Sequence, residues 1–502
     1  MAVAFWGGFT ALGVELAASR LLAPFFGTSL IVWANLIGLI LIYLSAGYFL
    51  GGRWADRSPR ETTLYSITAW AGFTIGLLPF VSRPVLLLSL HGMENLSAGL
   101  VLGSFFGAVV LLGPPVFLLG CVSPFVIRLG VRDVAEAGRV SGWAYALSTL
   151  GSVLGTFLTA LVFVPNMGTR RTFFLLAFSL LGLSLLALGA VSRRGAFAHS
   201  VLLLLLAGLF LWTGREDIKP TTGLLFESES AYHYIQVVGR PDGTVELILN
   251  EGQAVHSAYN PARKLTQDAW DYFLLAPFFN RVPFGKGSVQ RLAVIGLAAG
   301  TVSREYTAVY GPLAIAGVEI DRDIVEAGRR YFAMNEPNLQ VTVQDGRVFL
   351  ETTGERYDVV AIDAYRQPYI PFHLTTVEFF ELVRDHLTDE GVVAINAGRT
   401  GTDYRLVDSL AATMARVFPS VYVMDAPEAF NSLVVATRAP TTLADYRANV
   451  AALADPDLRG IAARIAAHVR VAPRAGVAFT DDRAPVEQLT HSIAFDFLTG
   501  RR

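Results

Sequence analysis

The sequence contains a single cysteine and, in its first part, very little charge. Because Cys121 is the only cysteine among 502 residues, neither an intramolecular disulfide nor a cysteine-based zinc cage can form. Residues 1–213 contain 12 arginines, no lysine and 6 acidic residues, whereas residues 214–502 contain 28 basic and 36 acidic residues. The second part is mildly acidic and has no basic run, which argues against a nucleic-acid partner. We also expect no metal.

The shortage of charge in the first part leaves long apolar runs. They recur at about 3–23, 28–50, 62–82, 97–127, 141–164, 172–191 and 197–213. Most are long enough for an α-helix to cross about 30 Å of hydrocarbon. Residues 1–215 are therefore predicted to form a multi-pass α-helical membrane domain with the lipid bilayer as a partner. Six or eight crossings stay open, because Pro114 and Pro115 interrupt one run and the last run is short.

The arginines of the first part indicate its orientation. They collect in alternate loops as Arg53, Arg57, Arg60, Arg128, Arg132, Arg139, Arg193 and Arg194. The positive-inside rule places these loops and the N-terminus in the cytoplasm. Seven crossings would then leave the second part outside, away from cytosolic nucleotide cofactors. We therefore expect six or eight crossings, a protein of the cell membrane and a cytoplasmic second part.

Two features of the first part favour a transport or sensing function. Glu15 and Arg20 lie in the first apolar run, where ionisable groups are often functional, although a mutual pair near the interface explains them too. The turn GGRWADRSPR, residues 51–60, resembles the short basic turn between the second and third helices of major facilitator transporters. A charged cytoplasmic turn explains this motif equally well, and only about half a transporter of that class is present.

After Trp212 the composition becomes that of a globular domain, with TGREDIKPTTG as the linker. The stretch YHYIQVVGRPDGTVELILNEG has two alternating apolar runs around Pro241, Asp242 and Gly243, which predict a β-hairpin. From Gln290, continuous apolar strands alternate with helical stretches, which indicates a parallel sheet covered on both faces. We predict a linker and β-hairpin subdomain over 216–285 and a doubly wound, Rossmann-like α/β domain over 286–502.

Small and acidic residues stand where successive strands of this sheet end. GLAAG, residues 296–300, follows the first strand and leads into a helix, so that Gly296, Ala298 and Gly300 let a ligand approach the backbone. Glu319, Asp345 (followed by Gly346) and Asp363 end the next three strands. Singly these acids could be solvated charges or, for Asp345, a helix cap. Because ligands bind beyond the carboxyl ends of such strands, the four together predict an adenosine-type cofactor.

Residues from about 225 to 400 contain, in this order, the segments ESESAYHYIQVV, VEID, QDGRVFLE, YDVVAIDAY and TTVEFFELV. In these segments and in their order the chain resembles the spermidine synthase (polyamine aminopropyltransferase) family. With LGVELAASRLLAPFFG before them and FTDDRAPVE after them, the whole chain resembles the membrane-embedded spermidine synthase-like proteins. The resemblance implies a class I methyltransferase or spermidine synthase-type fold for the second part.

The same resemblance implies residue roles and a reaction. Glu319 would bind the ribose, Asp345 would lie on the adenine side, and Asp363 would stand beside the attacking amine. The reaction would move an aminopropyl-type group from an adenosyl sulfonium to a small amine or polyamine and release methylthioadenosine. Because the leaving group departs as a neutral thioether, the demanding steps are removal of the amine's proton and alignment.

The sequence departs from the family at positions that contact the donor and the amine. Ala299 stands where soluble members carry the aspartate that holds the aminopropyl ammonium of decarboxylated S-adenosylmethionine, and Arg366 replaces a second aspartate. Ala269, Trp270 and Asp271 replace the run that lines the amine channel. Either another acid supplies the missing charge, with Asp271, Asp481 and Asp482 as candidates, or the donor is S-adenosylmethionine itself and Arg366 pairs with its carboxylate. Tyr365, Tyr369 and His373 would form a lid.

Three functions therefore stay open. The first is an aminopropyltransferase, and the second is an S-adenosylmethionine-dependent methyltransferase or another enzyme that uses this donor. The third is a polyamine transporter or sensor whose second part only binds the nucleoside. The membrane part could also serve only as an anchor, and a homodimer is left open.

Overall fold

The computed structural model describes residues 1–26, 30–91, 99–213, 219, 221–250, 252, 254–366, 369–473 and 476–498. They form two compact units, one of Met1–Pro220 with Glu229–Tyr234 and one of Thr221–Ser228 with Ile235–Arg502. Most of the predicted linker, residues 214–218 and 220, lies outside the described part of the chain. So do residues 28–29 and 97–98, at the starts of two predicted apolar runs.

The described part of the first unit is mainly helical. Its helices are α1 (Ala2–Phe26), α2 (Leu30–Arg57), α3 (Glu61–His91), α4 (Gly99–Gly120), α5 (Val122–Gly130), α6 (Ala137–Leu158), α7 (Val164–Val191) and α8 (Arg193–Thr213). Among its described residues, six stretches are long and apolar enough to span a membrane, and the longest is Val134–Val191. Gly168, with a φ of 78°, breaks the helix inside that stretch. With the stretch divided there, the helices match the seven apolar runs of the sequence, while insertion into a membrane stays a prediction.

Glycines let the helices of the first unit approach closely. A Cβ atom at Gly151 would lie 2.0 Å from the carbonyl oxygen of Phe5, and one at Gly155 would lie 2.2 Å from that of Phe9. Such contacts between backbones are typical of helix packing through small residues. Because Phe5 faces Gly151 and Phe9 faces Gly155, α1 and α6 run in the same direction.

The arginine-rich turns lie at one end of this unit. Arg128 forms an ion pair with Asp56, which joins the ends of α5 and α2, and Arg139 stands at the start of α6. Lys219 lies at the other end, where its Nζ donates to the carbonyl oxygen of Pro24 near the end of α1. Lys219 therefore lies at the end of the helical unit opposite its arginine-rich turns.

Next along the chain, the described residues form a small sheet of four strands. They are β1 (Leu224–Glu229), β2 (Tyr234–Gly239), β3 (Val245–Leu249) and β4 (Val255–Tyr259), and they lie side by side in that order. In the antiparallel pair β2 and β3, Ile235 lies opposite Leu249, and Gly243 in their turn has a φ of 83°. The sequence predicted this pair as a hairpin and missed the two outer strands, which are short and only partly buried.

A second sheet has eight strands within the described residues. They are β5 (Arg291–Ile295), β6 (Ala314–Glu319), β7 (Leu339–Val343), β8 (Tyr357–Ile362), β9 (Leu387–Gly398), β10 (Ser420–Asp425), β11 (Asn431–Thr437) and β12 (Val469–Val471), in the order β12-β10-β11-β9-β8-β5-β6-β7. The five strands β5 to β9 pair in parallel, as predicted. Three strands that the sequence analysis did not assign, β10, β11 and β12, pair antiparallel and make the sheet mixed. A short turn, not a crossover helix, joins β10 to β11.

Apolar cores cover both faces of this sheet. Successive residues of a strand point to opposite faces, so Leu292 and Val294 enter one core while Ala293 and Ile295 enter the other. The segment Ala269–Phe279 is a buried 3-10 helix in the first of these cores. The α-helices of the unit are α9 (Thr301–Tyr310), α10 (Arg322–Tyr331), α11 (Gly346–Thr352), α12 (Val377–Asp385), α13 (Arg405–Met414), α14 (Leu443–Ala451), α15 (Pro456–Ile465) and α16 (Val486–Leu498).

Candidate active site

Four neighbouring parallel strands, β8, β5, β6 and β7, end together at one edge of the large sheet. Backbone hydrogen bonds join the segments that follow them. The N–H of Asp363 donates to the backbone oxygen of Ile295 at 2.8 Å, and the N–H of Gln344 donates to the backbone oxygen of Glu319 at 3.0 Å. The structure thus brings the loop 296–300, Glu319, Asp345 and Asp363 to one edge, which we call the strand-end site.

The loop 296–300 follows β5 in a conformation that requires small residues. Gly296, Ala298 and Gly300 have φ values of 82°, 49° and 85°. A Cβ atom at Gly296 would lie 2.6 Å from the backbone of Asp363 and Ala364, so only glycine allows this approach. The left-handed conformation of Ala298 strains its backbone, and such strain is common at binding sites.

Glu319 lies against this loop at the end of β6. It is 6% exposed, and its Oε2 accepts a hydrogen bond of 2.9 Å from the N–H of Ala298. Its Oε1 accepts another of 3.0 Å from the N–H of Asp321. These two bonds fix the direction of the Glu319 carboxylate at the end of β6.

Asp345 caps α11 and also pairs with a histidine. Its Oδ1 accepts from the N–H groups of Arg347 at 2.9 Å and Val348 at 3.2 Å. Its Oδ2 lies 2.8 Å from Nε2 of His373, a hydrogen bond that holds the pKa of Asp345 below its ordinary value. His373 was expected in a lid, and the structure places it beside Asp345 on the predicted adenine side. A Cβ atom at Gly346 would lie 2.3 Å from the side chain of Ile295, so this glycine lets α11 begin close to β5.

Two side chains orient the carboxylate of Asp363, which is half-buried after β8. The indole N–H of Trp270 donates to Oδ2 at 2.8 Å, and Nδ2 of Asn396 donates to Oδ1 at 2.9 Å. Burial raises the pKa of Asp363, while these two hydrogen bonds lower it. The group is therefore fixed in direction and has a proton affinity above that of a solvated aspartate, as a general base requires. Trp270, for which a contact with substrate stays a prediction, positions Asp363.

Sequence reasoning missed two asparagines behind Asp363. Nδ2 of Asn431 donates to Oδ1 of Asn396 at 2.9 Å, which turns the NH2 group of Asn396 toward Asp363. The hydroxyl of Tyr365 donates to the backbone oxygen of Asn396 at 3.1 Å, so this residue braces β9. Asn396 near the end of β9 could have been found by the rule that located Glu319, because β9 is the next parallel strand. Asn431 lies on β11, whose antiparallel direction the sequence did not indicate.

Asp271 does not reach the strand-end site. Its side chain is fully buried and forms an ion pair with Arg464, and its Oδ1 accepts from the hydroxyl of Thr266 at 3.0 Å. The expectation that Asp271 contacts the amine is therefore corrected, because all of its carboxylate is enclosed by protein partners. Glu305 lies in the same buried cluster and accepts from the N–H of Thr266 at 3.0 Å.

The two acids of the C-terminal motif occupy the turn between Thr480 and Arg483. Asp481 accepts two hydrogen bonds of 2.8 Å from the guanidinium of Arg347. Its carboxylate, which was expected to pair with a positively charged substrate, is thus paired with Arg347. Asp482 is exposed in the same turn. Arg366 is also exposed, and its N–H bonds to Tyr369 at 2.8 Å, while the intervening residues 367–368 lie outside the described part of the chain.

Ala299 is enclosed by the small sheet. Its side chain is 0% exposed, and its N–H donates to the hydroxyl of Ser257 on β4 at 3.0 Å. Around it lie Ile235, Leu249 and other apolar residues. The position at which soluble relatives were expected to bind the donor's ammonium is therefore apolar here. Among the residues that the structure describes, no group of three or more His, Cys, Asp or Glu side chains is arranged to hold a metal.

Comparisons with known proteins identify the kind of domain in which this site lies. The family model of the spermine/spermidine synthase domain matches residues 283–444. The second unit carries a spermidine synthase-like domain. The resemblance drawn from the sequence motifs is thus confirmed for this domain, whose match begins just before β5 and includes the whole strand-end site.

Relatives of the spermidine synthase-like domain are named as polyamine aminopropyltransferases. A probable polyamine aminopropyl transferase of Bifidobacterium longum is 30% identical over 305 residues, which cover 56% of this chain and 66% of the relative. For one from Vibrio vulnificus the match is 31% identical over 150 residues, covering 29% of this chain and 49% of the relative. The chain thus spans from about half to just under two thirds of these two relatives.

One further match extends beyond the spermidine synthase-like domain. Polyamine aminopropyltransferase 2 of Ralstonia nicotianae is 24% identical over 415 residues, covering 77% of this chain and 76% of the relative. A match of that length includes part of the helical unit. Among solved structures, a probable spermidine synthase from Corynebacterium glutamicum is 20% identical with a TM-score of 0.37, covering 52% of this chain and 98% of that one.

Proposed function

We propose that the spermidine synthase-like domain transfers an aminopropyl-type group from an adenosyl sulfonium to a small amine or polyamine and releases methylthioadenosine. The observation that carries this proposal is the carboxylate of Asp363, which Trp270 and Asn396 hold beside a glycine-containing loop and the Glu319 carboxylate. A protein that only bound a nucleoside would need Glu319 and the loop but not a second, oriented carboxylate of raised pKa.

The chemistry follows from these groups. The amine nitrogen attacks the carbon bound to the sulfonium, the carbon–sulfur bond breaks, and its electron pair stays on sulfur as a neutral thioether. The proton of the attacking amine passes to Asp363, whose direction Trp270 and Asn396 fix. Holding donor and acceptor in line lowers the entropy cost of the encounter, which is the largest contribution available without acid catalysis of the leaving group.

The residues at the ends of β5, β6 and β7 would bind the donor. Glu319 is placed to accept from ribose hydroxyls, and Gly296, Ala298 and Gly300 allow the adenosine to lie against the backbone. Asp345, with Gly346 behind it, and its partner His373 form the adenine side. Decarboxylated S-adenosylmethionine is the donor that this family assignment favours.

A second candidate is an enzyme that uses intact S-adenosylmethionine, including a methyltransferase. Specific observations favour it. Ala299 is buried among apolar side chains, and two of the three candidate acids, Asp271 and Asp481, pair with Arg464 and Arg347. Of those candidates, the exposed Asp482 is left for an ammonium group. Arg366 is an exposed cation three residues after Asp363 and suits a donor that retains its carboxylate.

One assay separates these candidates. Full-length protein purified in detergent is incubated with decarboxylated or intact S-adenosylmethionine and a panel of diamines and polyamines, and the adenosine product is identified by mass spectrometry. Methylthioadenosine is expected, and S-adenosylhomocysteine would identify a methyltransferase. Asp363→Asn should abolish turnover while leaving donor binding measurable by calorimetry, and Asp389→Asn, at an acid whose side chain is 96% accessible, serves as the control. Donor binding without either product would leave the transporter or sensor as the better hypothesis.

We further propose that the helical unit holds the domain at the cell membrane with the domain in the cytoplasm, where adenosyl donors are made. The position of Lys219, opposite the arginine-rich turns, predicts the other orientation under the positive-inside rule. A reporter that is active only in the cytoplasm, fused after Arg502, decides between them. Light scattering of the same preparation tests the homodimer.

A further inference from the structure

The turn formed by residues 480–483 joins the beginnings of two helices beside the strand-end site. We call it the C-terminal turn, and backbone hydrogen bonds between its first and last residues close it. Its Asp481 accepts two hydrogen bonds of 2.8 Å from Arg347, the second residue of α11. The hydroxyl of Thr376, which caps α12, donates to the same carboxylate at 2.7 Å. One side chain thus connects the start of α11 with the start of α12.

Further contacts fix the C-terminal turn on the domain. The N–H of Asp481 donates to Oε2 of Glu378, in the first turn of α12, at 3.0 Å. The N–H of Val377 donates to the backbone oxygen of Phe479 at 2.9 Å. Phe479 is itself 1% exposed, in the core on one face of the large sheet. Because a buried ring and backbone contacts hold this turn, the Asp481 carboxylate meets Arg347 in a fixed direction.

Arg347 extends this connection to the predicted adenine side. Its N–H donates to Oδ1 of Asp345 at 2.9 Å, and its guanidinium also donates to the backbone oxygen of His373 at 3.4 Å. His373 in turn places Nε2 2.8 Å from Oδ2 of Asp345. Glu351, one turn along α11, lies 3.6 Å from the same guanidinium. Arg347 therefore contacts both members of the pair Asp345 and His373.

The geometry of the contact between Arg347 and Asp481 fixes direction as well as charge. Two parallel hydrogen bonds define the plane of a guanidinium, which a single point charge cannot do. The contact of this guanidinium with His373 therefore depends on Asp481. The described hydrogen bonds of Asp345 occupy three of about four acceptor positions of a carboxylate, which leaves one for the exocyclic amino group of a base.

We propose that Asp481 is a positioning residue for recognition of the base, and that it acts through Arg347 and not by contact with the substrate. Arg347 holds His373 against Asp345, and this arrangement directs the remaining acceptor position of Asp345 toward an exocyclic amino group. The site thereby prefers adenine, which carries that group, over hypoxanthine, which carries an oxygen in its place. This inference rests on the donor binding proposed above, and it gives the C-terminal turn a role other than pairing with an ammonium group.

The test measures the base preference of full-length protein in detergent. Calorimetry compares methylthioadenosine with methylthioinosine, which differ at the exocyclic position of the base. We expect the parent to bind methylthioadenosine at least about tenfold more tightly, because a site that hydrogen-bonds an amino group rejects an analogue without it. Asp481→Asn should reduce this preference to about twofold or less and leave the affinity for methylthioinosine nearly unchanged. In the transfer assay, the same variant should raise the KM for the donor without changing kcat.

Two further variants make the test specific. Arg347→Lys retains a cation but cannot form two parallel hydrogen bonds, so it should also lose most of the preference. The matched control is Glu355→Gln, which removes the acid of another arginine pair, because its partner Arg291 starts β5 at the edge of the sheet opposite the strand-end site. It should keep the parent's preference. A ratio of two affinities measured on one variant does not depend on the fraction of protein that is folded, so a loss of stability cannot imitate the expected result.

Three outcomes would overturn the proposal. They are an equal loss of affinity for both nucleosides in Asp481→Asn, an unchanged preference in Asp481→Asn or Arg347→Lys, and a parent without a preference between the two bases. A failure of the transferase proposal is distinguishable from all three, because it would be seen as binding of methylthioadenosine without turnover. The comparison of the two nucleosides would then still decide the role of Asp481.

Discussion

Trp270 donates its indole N–H to the carboxylate of Asp363 at 2.8 Å across 93 residues of sequence. The tryptophan belongs to the buried 3-10 segment Ala269–Phe279, which packs in the core on one face of the large sheet. The orientation of the candidate base is therefore set by the core of the domain and not by a mobile loop. Asn396 holds the other oxygen, so loss of either donor leaves a single support.

Trp270→Phe should shift the pH profile of the reaction. The substitution keeps an aromatic ring in the core but removes a hydrogen bond that lowers the pKa of Asp363. With that bond lost, the pKa of Asp363 rises, so the acidic limb of the kcat/KM profile should move to higher pH. We expect about a tenfold loss of activity at pH 7, because a hydrogen bond to a charged group contributes about 1.5–3 kcal/mol. Trp212→Phe, at a tryptophan that is 83% exposed, is the control, and an unmoved limb would contradict the role of Trp270.

Asn431→Ala should act through Asn396. Asn431 fixes which way the Asn396 amide faces and, among the contacts described, does not itself bond to Asp363. We expect Asn431→Ala to lower kcat by several-fold and Asn396→Ala to lower it further, with the KM for the donor unchanged in both. Combining the two substitutions should cost little more than Asn396→Ala alone, since they remove one support. Full additivity in a double-mutant cycle would contradict this coupling.

The sequence predicted the positions of site residues that follow from the strand pattern. It did not predict the surroundings of residues whose ion-pair partners are distant in sequence. Glu319 and Asp363 follow continuous apolar strands, and the order of parallel strands brings their ends together whatever the rest of the chain does. Asp271 and Asp481 were offered as substrate ligands because both are acidic and near the motifs. Their partners Arg464 and Arg347 lie 193 and 134 residues away, and nothing local in the sequence indicates them.

Dependence on distant partners also explains why the antiparallel part of the large sheet was not predicted. Strands β10 and β11 are apolar enough to be seen, but their direction depends on a short turn between them and on pairing with β9. Because Asn431 stands at the start of β11, its link to Asn396 and the Asp363 carboxylate could not be foreseen. The orientation of the proposed base is thus a property of the tertiary fold, while its identity was visible in the sequence.

Glu305→Gln should stabilise the protein, and increasingly so as pH rises. Burial, and next the charge of Asp271, raise the pKa of Glu305 well above its ordinary value. The folded state then binds more protons than the unfolded state between the two pKa values, so the free energy of unfolding falls as pH rises through that interval. The neutral amide retains an acceptor for Thr266 and removes this loss, which amounts to about 1.4 kcal/mol per unit of pKa difference.

The measurement for Glu305→Gln is the melting temperature of full-length protein in detergent from pH 5 to pH 8. The variant should melt higher than the parent at pH 8 and approach it at pH 5. Glu355→Gln, at an exposed acid whose side chain is 60% accessible and paired with Arg291, should show no such divergence. A variant that loses stability at pH 8 would mean that Glu305 is charged in the folded protein.

Ala299→Asp should destabilise the domain and should not restore a preference for the decarboxylated donor. The Ala299 side chain is 0% exposed among the apolar residues of the small sheet, so a carboxylate there would be ionised without a partner or would take up a proton. We expect a fall in melting temperature of at least about 5 °C, in line with a cost of several kcal/mol for an unpaired buried charge. Ala298→Gly is the matched control in the same loop, because glycine adopts the φ of 49° without strain and should preserve the melting temperature. Tighter binding of decarboxylated S-adenosylmethionine by Ala299→Asp, with its melting temperature intact, would show that this side chain reaches the donor.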